Sequence, residues 1–312
     1  MKPSMHPARH LLWVLVLFSR CALAAVTVSD DSGRRVTLES PAERIVSLSP
    51  HTTELLYAAG AGDRVSGVAS YSDYPPAAQR LPQVGDAANL NLESILALKP
   101  DLIVAWKSGN VGHQLEQLQR FGIPVFFSEP RRMEDIASNL QRLGRLAGTE
   151  AIADAAAQTF LAGYQALRRE YSGRTPVRTF YEIWDQPLTT INGEQLISQA
   201  IRLCGGRNIF AGLPTLAPVV TREAVVAADP QAIIASGQAV ERPEWLKNWE
   251  AWPQVTAVRN GQLYVIDPDL VQRQTPRILA GARIMCGQIE QARQALSGRT
   301  RPAESAPPVA PP

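Results

Sequence analysis

Residues 149–172 read TEAIADAAAQTFLAGYQALRREYS, and the reading of this stretch decides the fold. It is rich in Ala, Leu, Gln, Glu and Arg, holds no Pro and has one internal glycine, Gly163, so it predicts a single uninterrupted helix. Thr149 is expected to cap its start, where Glu150 and Asp154 meet the positive end of the helix dipole. Arg168 and Arg169 suit the opposite end, and Gly173 with Pro176 stops the helix. Apolar residues recur at Ala153, Ala157, Phe160, Tyr164, Leu167 and Tyr171, one narrow stripe at helical spacing. At 1.5 Å per residue the rod is roughly 35 Å long. Taken alone it reads equally well as a surface helix of one large domain. The flanking sequence decides for a bridge between two lobes.

The two flanks repeat each other. Before the helix, residues 92–104 read LESILALKPDLIV; after it, residues 222–234 read REAVVAADPQAII. In both, a Glu (Glu93, Glu223) opens a short apolar helix, a Pro (Pro100, Pro230) follows, and a β-branched strand comes next. The echo continues in Gly122–Phe127 leading into Ser128-Glu129-Pro130, and in Gly261–Ile266 leading into Asp267-Pro268. Each half alternates strand and helix, which predicts a parallel sheet wrapped by helices. The expected division is an N-terminal lobe over 25–148, a connecting helix over 149–172 and a C-terminal lobe over 173–297. Val26 to Leu38, with Asp30-Asp31-Ser32-Gly33 at its middle, reads as a hairpin leading into the first lobe.

The ends bound the compartment. Residues 1–24 carry Lys2 and Arg9, an apolar run from Leu11 to Phe18, and Ala22-Leu23-Ala24 as a small-x-small cleavage site, the pattern of a secretory signal peptide. A membrane anchor needs about 20 apolar residues, and Arg20 interrupts too early; Arg20 also makes Cys21 a poor lipidation site. The formal charge of +2 includes Lys2, Arg9 and Arg20, so the mature chain is near neutral and no basic stripe points to nucleic acid. In an oxidising compartment Cys204 and Cys286 form one pair, either a bridge inside the second lobe or two free buried thiols. Residues 298–312 are Pro- and Ala-rich without apolar periodicity, a disordered tail.

Enzyme signatures are missing. No G-x-S-x-G elbow and no phosphate loop occurs, and Gly60-Ala61-Gly62 ends a helix where a dinucleotide site would follow a strand. His51 and His113 are the histidines left after residue 24, too few for a His-rich zinc site, and each reads as a solvated or capping residue. Aromatic groups instead gather at loops after predicted strands: Ser70–Pro76 with Tyr71 and Tyr74, Trp106 before Lys107-Ser108-Gly109-Asn110, and Trp184. Loops at strand C-termini line the ligand crevice of open parallel sheets. Flat aromatic walls with a few polar groups suit a large, partly apolar ligand.

With these residues in view, the chain from about Arg44 to Gln294 resembles the periplasmic cobalamin-binding proteins of bacterial ABC importers. The resemblance is carried by Ser70–Pro76, Asn91-Leu92-Glu93 through Lys99-Pro100-Asp101-Leu102, and Ala105-Trp106 with Gly109-Asn110. In the second half it is carried by Cys204-Gly205-Gly206 with Asn208-Ile209-Phe210, Arg222-Glu223, and Arg273 with Pro276-Arg277-Ile278. It implies an α/β fold of two Rossmann-like lobes bridged by one rigid helix, a class III periplasmic binding protein, with the corrinoid in the cleft. Tyr71 and Trp106 would pack on the ligand, and Asp269, Leu270, Val271, Gln272 and Arg273 would meet it as a loop from the second lobe. Cys204 and Cys286 match the family's disulfide, and Glu93 and Glu223 match its glutamates that dock onto arginines of the membrane permease. The family's cobalamin-contacting Trp is missing around Leu216-Ala217-Pro218, where Trp184 from a neighbouring loop would substitute. The implied protein is a periplasmic monomer without catalytic residues, metal or cofactor, its partners being cobalamin and an inner-membrane permease. A haem or ferric-siderophore binder of the same fold, and an exported hydrolase, are the competing readings.

Overall fold

The computed structural model describes residues 25–237 and 244–298. The expected signal peptide (1–24) and all of the expected tail beyond Gly298 lie outside the described residues. Glu150–Tyr171 forms one helix of 22 residues, burying Ala153, Ala157, Phe160 and Leu167 along the expected stripe. Thr149 corrects its expected role: its side chain caps no helix N–H, and its hydroxyl donates to the Ala59 carbonyl at 2.7 Å. That bond ties the start of the bridging helix to the end of the Pro50–Ala58 helix. Gly144 lets the Met133–Ala147 helix approach closely, because a Cβ there would lie 2.2 Å from that of Ala153.

Two four-stranded sheets flank this helix. The first orders Val65–Val68, Ile45–Ser47, Leu102–Trp106 and Val125–Ser128; the second orders Gly206–Asn208, Val177–Glu182, Ala232–Ser236 and Leu263–Ile266. Every neighbouring pair in both is parallel. In chain order both sheets run second, first, third, fourth, so the repeat seen in sequence is a repeat of topology. One continuous apolar seam passes from Ile45, Leu102 and Val104 of the first sheet, along Ala153, Ala157, Phe160 and Leu167, to Ile201, Met285 and Ile289 beyond. Burial on both flanks holds the helix as a rod between the lobes.

The repeat reaches individual bonds. Lys99 (φ 48°) and Asp229 (φ 43°) both take the left-handed conformation directly before Pro100 and Pro230, where the following proline disfavours a right-handed helical turn. Arg44 Nε donates to the Lys99 carbonyl at 2.7 Å, and Arg178 Nε to the Asp229 carbonyl at 3.0 Å. The backbone N–H of Arg44 donates to Asp101 at 3.0 Å, and that of Arg178 to Gln231 at 2.8 Å. Each lobe thus clamps the turn before its third strand with an arginine at the start of its first, Arg44 just before Ile45–Ser47 and Arg178 second in Val177–Glu182.

Cys204 and Cys286 form a buried disulfide with their Cα atoms 4.5 Å apart, joining the end of the Leu196–Leu203 helix to the Ile278–Leu296 helix. The bridge spans 82 residues of sequence, and closing a loop of that size stabilises by about 4 kcal/mol in the chain-entropy account. Denaturant unfolding of Cys204→Ala/Cys286→Ala is therefore expected to show a loss of that order. A midpoint equal to that of the unmutated protein would mean that the bridge contributes nothing.

Candidate functional site

Segments that follow strands of the two sheets meet directly across the boundary between the lobes. From the first lobe come the Pro50–Ala58 helix, the Ser70–Pro76 loop and Trp106; from the second comes the segment after Leu263–Ile266. Contacts between them are direct: Arg273 Nη1 donates to Glu54 at 3.0 Å and to Asp73 at 2.6 Å, and Arg277 Nε donates to Glu54 at 2.9 Å.

Tyr71 stands at the lip, 78% exposed, with φ 66°. A bulky residue in the left-handed region is strained, and such strain gathers at ligand clamps. Trp106 ends its strand half-buried, its backbone N–H donating to Asn110 Oδ1 at 2.7 Å while Asn110 Nδ2 donates to the Leu48 carbonyl at 2.9 Å. Gly109 lies so close to the indole that a Cβ would fall 1.9 Å from the ring. The His51 ring meets that indole edge-on, centroids 5.5 Å apart. His51 corrects the expectation of a solvated residue: it is 3% exposed, with Nδ1 3.0 Å from Ser49 Oγ. Burial pushes its pKa down to about 3, so the imidazole stays neutral behind Trp106. His113 is exposed.

Trp184 is 62% exposed and lies on a two-residue strand, Trp184–Asp185, paired with Leu188–Thr189. Its indole N–H donates to the Gln186 carbonyl at 3.0 Å. The segment expected to lack the family's Trp runs alongside this hairpin, through Thr190 N–H to the Pro218 carbonyl at 3.0 Å and Val220 N–H to the Leu188 carbonyl at 2.9 Å. Trp184 therefore lies on the hairpin beside Leu216-Ala217-Pro218.

Asp269–Arg273 is less of a loop than expected. Asp267 caps a short helix, Pro268–Val271. Val271 corrects its expected ligand contact: it is 1% exposed and wedged against Gly281, where a Cβ would lie 2.5 Å from it. Leu270 packs partly on the same core, and Gln272 Nε2 donates to Ser236 Oγ at 2.6 Å. Asp269 pairs with Arg273 at 2.9 Å. Glu54, Asp73 and Arg277 join these residues without having been expected as site residues; the one sequence signal was a lone carboxylate inside the apolar run of 54–59.

Two residues before Trp184, Glu182 ends one of the two central strands of the second sheet with no exposure, accepting Trp249 Nε1–H at 2.8 Å. Burial pushes its carboxyl up to about 8, against the Trp249 hydrogen bond, which favours the charged form. A folded pKa above the unfolded one adds stability at low pH that is lost as pH rises through the folded value. Between about pH 5 and 8 stability should therefore fall by at most about 1.4 kcal/mol per pH unit. Melting temperatures of Glu182→Gln across that range should lose this slope; an unchanged slope would assign it to another group.

Glu93 and Glu223 are exposed second residues of the helices Leu92–Ala97 and Arg222–Ala228. Side chains of Asn91 and Thr221 already cap those helices through Ser94 and Ala224 N–H groups. Among the described residues neither carboxylate has a hydrogen-bond or ion-pair partner. Among the described residues no three His, Cys, Asp or Glu side chains converge as a metal site, and no helix is long and apolar enough to cross a membrane.

Residues 45–270 match the periplasmic binding protein family. A vitamin B12-binding protein of Vibrio cholerae is 38% identical over 246 residues, covering 79% of this chain and 88% of the relative. One from Yersinia pestis is 42% identical over 248 residues, covering 80% of this chain and 86% of the relative. The crystal structure of the periplasmic vitamin B12 binding protein of V. cholerae superposes with a TM-score of 0.75 at 37% identity, covering 81% of this chain and 99% of that one. A periplasmic haem-binding protein in complex with two haems superposes at 0.72 with 22% identity, covering 80% and 98%, and shares the fold alone.

Proposed function

The chain belongs to the periplasmic binding protein family, and from that premise we propose that it captures cobalamin or a related corrinoid between its lobes and delivers it to the permease of an ABC importer. The carrying observation is the likeness to vitamin B12-binding relatives, 42% identical over 80% of this chain in one case. The crevice geometry supports it: Tyr71 and Trp106 offer apolar faces on one side, and Asp269, Gln272 and Arg273 offer polar groups on the other. Its work is binding without catalysis, in the periplasm, as a monomer. The lobes are taken as 25–148 and 173–297, joined by 149–172.

The test is the absorbance spectrum of the purified mature chain after incubation with cobalamin, haem or a ferric siderophore and removal of free ligand. A cobalamin spectrum at one ligand per chain is expected. Retention of haem or siderophore in its place would overturn the corrinoid reading and leave the binding-protein fold.

A further inference from the structure

A cluster of charges drawn from both lobes joins them at the proposed binding crevice. Glu54, with its side chain 2% exposed, accepts Arg277 Nε at 2.9 Å on one oxygen and both Arg277 Nη2 at 2.6 Å and Arg273 Nη1 at 3.0 Å on the other. Arg273 also donates to Asp73 at 2.6 Å and pairs with Asp269 at 2.9 Å. The guanidinium of Arg277 lies over the Tyr74 ring, 4.0 Å from its centre. Two cations are thus matched against three carboxylates, and the cluster has one negative charge in excess.

We infer that this cluster makes the crevice select ligands by charge, admitting a periphery of neutral amides and rejecting one of carboxylates. The inference rests on the corrinoid reading above and narrows it to amidated corrinoids. A ligand carboxylate entering here needs a cation. Both guanidinium groups already hold carboxylates through charge-assisted bonds, and Arg277 holds Glu54 with two of them. Freeing Arg277 would take from the buried Glu54 the partner that holds it with two bonds, and freeing Arg273 would unpair Asp73 and Asp269, each an unfavourable change. A carboxylate that found no cation would face Asp73 and Asp269, whose side chains are 50% and 40% exposed, as like charges. The Arg273 hydrogen bond holds the Asp73 carboxyl below the usual range, so it stays ionised in mildly acidic surroundings too. An amide ligand meets the same oxygens as acceptors for its N–H groups, since a carboxylate bonded to one arginine retains further lone pairs. Peripheral amides and peripheral carboxylates have similar shape, so this discrimination is one of charge.

The experiment compares two corrin rings without a nucleotide tail: one with its peripheral groups as amides, one with all of them hydrolysed to carboxylates. Calorimetry with the unmutated mature chain is expected to show the amide ring binding at least about a hundredfold tighter, about 2.7 kcal/mol. Asp73→Asn and Asp269→Asn should each narrow that ratio by about tenfold, ~1.4 kcal/mol, chiefly by tightening the carboxylate ring. Raising the ionic strength should narrow it in the unmutated chain as well, because these side chains are half-exposed and screened by salt; this arm decides the matter even if a variant fails to fold. Equal affinity for both rings, or a ratio unmoved by both substitutions and by salt, overturns the charge selection and leaves the corrinoid reading standing. Binding of neither ring overturns that reading and the inference with it.

Discussion

Trp106→Ala and Tyr71→Ala are each expected to weaken cobalamin binding by about tenfold or more, as loss of a central aromatic anchor does when it leaves a closed site. The two rings should behave differently in every other respect. Trp106 is held before any ligand arrives, by Asn110 through the backbone, by Gly109 beneath the indole and by the neutral His51 ring beside it. A pre-set ring loses little freedom on binding, so most of its contact energy appears as affinity. Trp106→Ala should also lower the melting temperature, since the indole is half-buried. The Tyr71 side chain stands 78% exposed on a backbone at φ 66°, whose carbonyl lies 3.5 Å from Arg273 Nη2. Tyr71→Gly should relieve that strain, raise stability slightly and still lose affinity, the signature of a residue kept for binding. Calorimetry with cobalamin, beside thermal melts, separates the two. Full affinity in both variants would remove the aromatic wall from the site.

The architecture was legible because its signals are local and repeated. Helix propensity and a narrow apolar stripe mark Glu150–Tyr171 without any tertiary information, and the echo of 92–104 in 222–234 announces two sheets of one topology. Thr149 shows the limit of that reasoning: its hydroxyl had two uses, and a carbonyl on another helix won over its own helix end. His51 escaped for the same reason, since nothing in SPHTTE says that its ring turns under Trp106. Glu54 is the clearest case. Its partners lie 219 and 223 positions away, on the other lobe, and no spacing rule connects them. Val271 failed in the opposite sense: four neighbours of the expected segment are polar or partly exposed, but the short helix turns this one side chain into the core.

Glu93→Ala together with Glu223→Ala is expected to abolish stable complex formation with the permease while leaving cobalamin affinity nearly unchanged. The internal repeat motivates this independently of the family. Both glutamates are second residues of short helices that follow a capping Asn91 or Thr221, at matching places in two lobes joined by one rod. A carboxylate near a helix start has an ordinary role, complementing the dipole at about 0.3–1 kcal/mol. On that account Asp would serve as well, and the double change would lower stability slightly and leave transport intact. Two features favour recognition instead. One N–H of each helix start, that of Ser94 and that of Ala224, is already held by the cap, and neither carboxylate has a partner among the described residues. Beside Glu93 an apolar groove lined by Leu92, Leu96 and Phe121 stays open, with Phe121 63% exposed. Two exposed carboxylates at a separation fixed by the rod suit a partner of two-fold symmetry that offers one arginine pocket to each lobe. Charge-assisted Glu–Arg pairs at the rim steer and orient such a complex, so each single variant should slow association and weaken it, most visibly at low salt. Glu→Asp at either site should rescue the dipole role but not docking, because the shorter side chain withdraws the carboxylate from its pocket. Uptake assays and pull-down with the reconstituted permease carry the decision: normal transport by the double alanine variant would reduce the paired glutamates to helix-end charges.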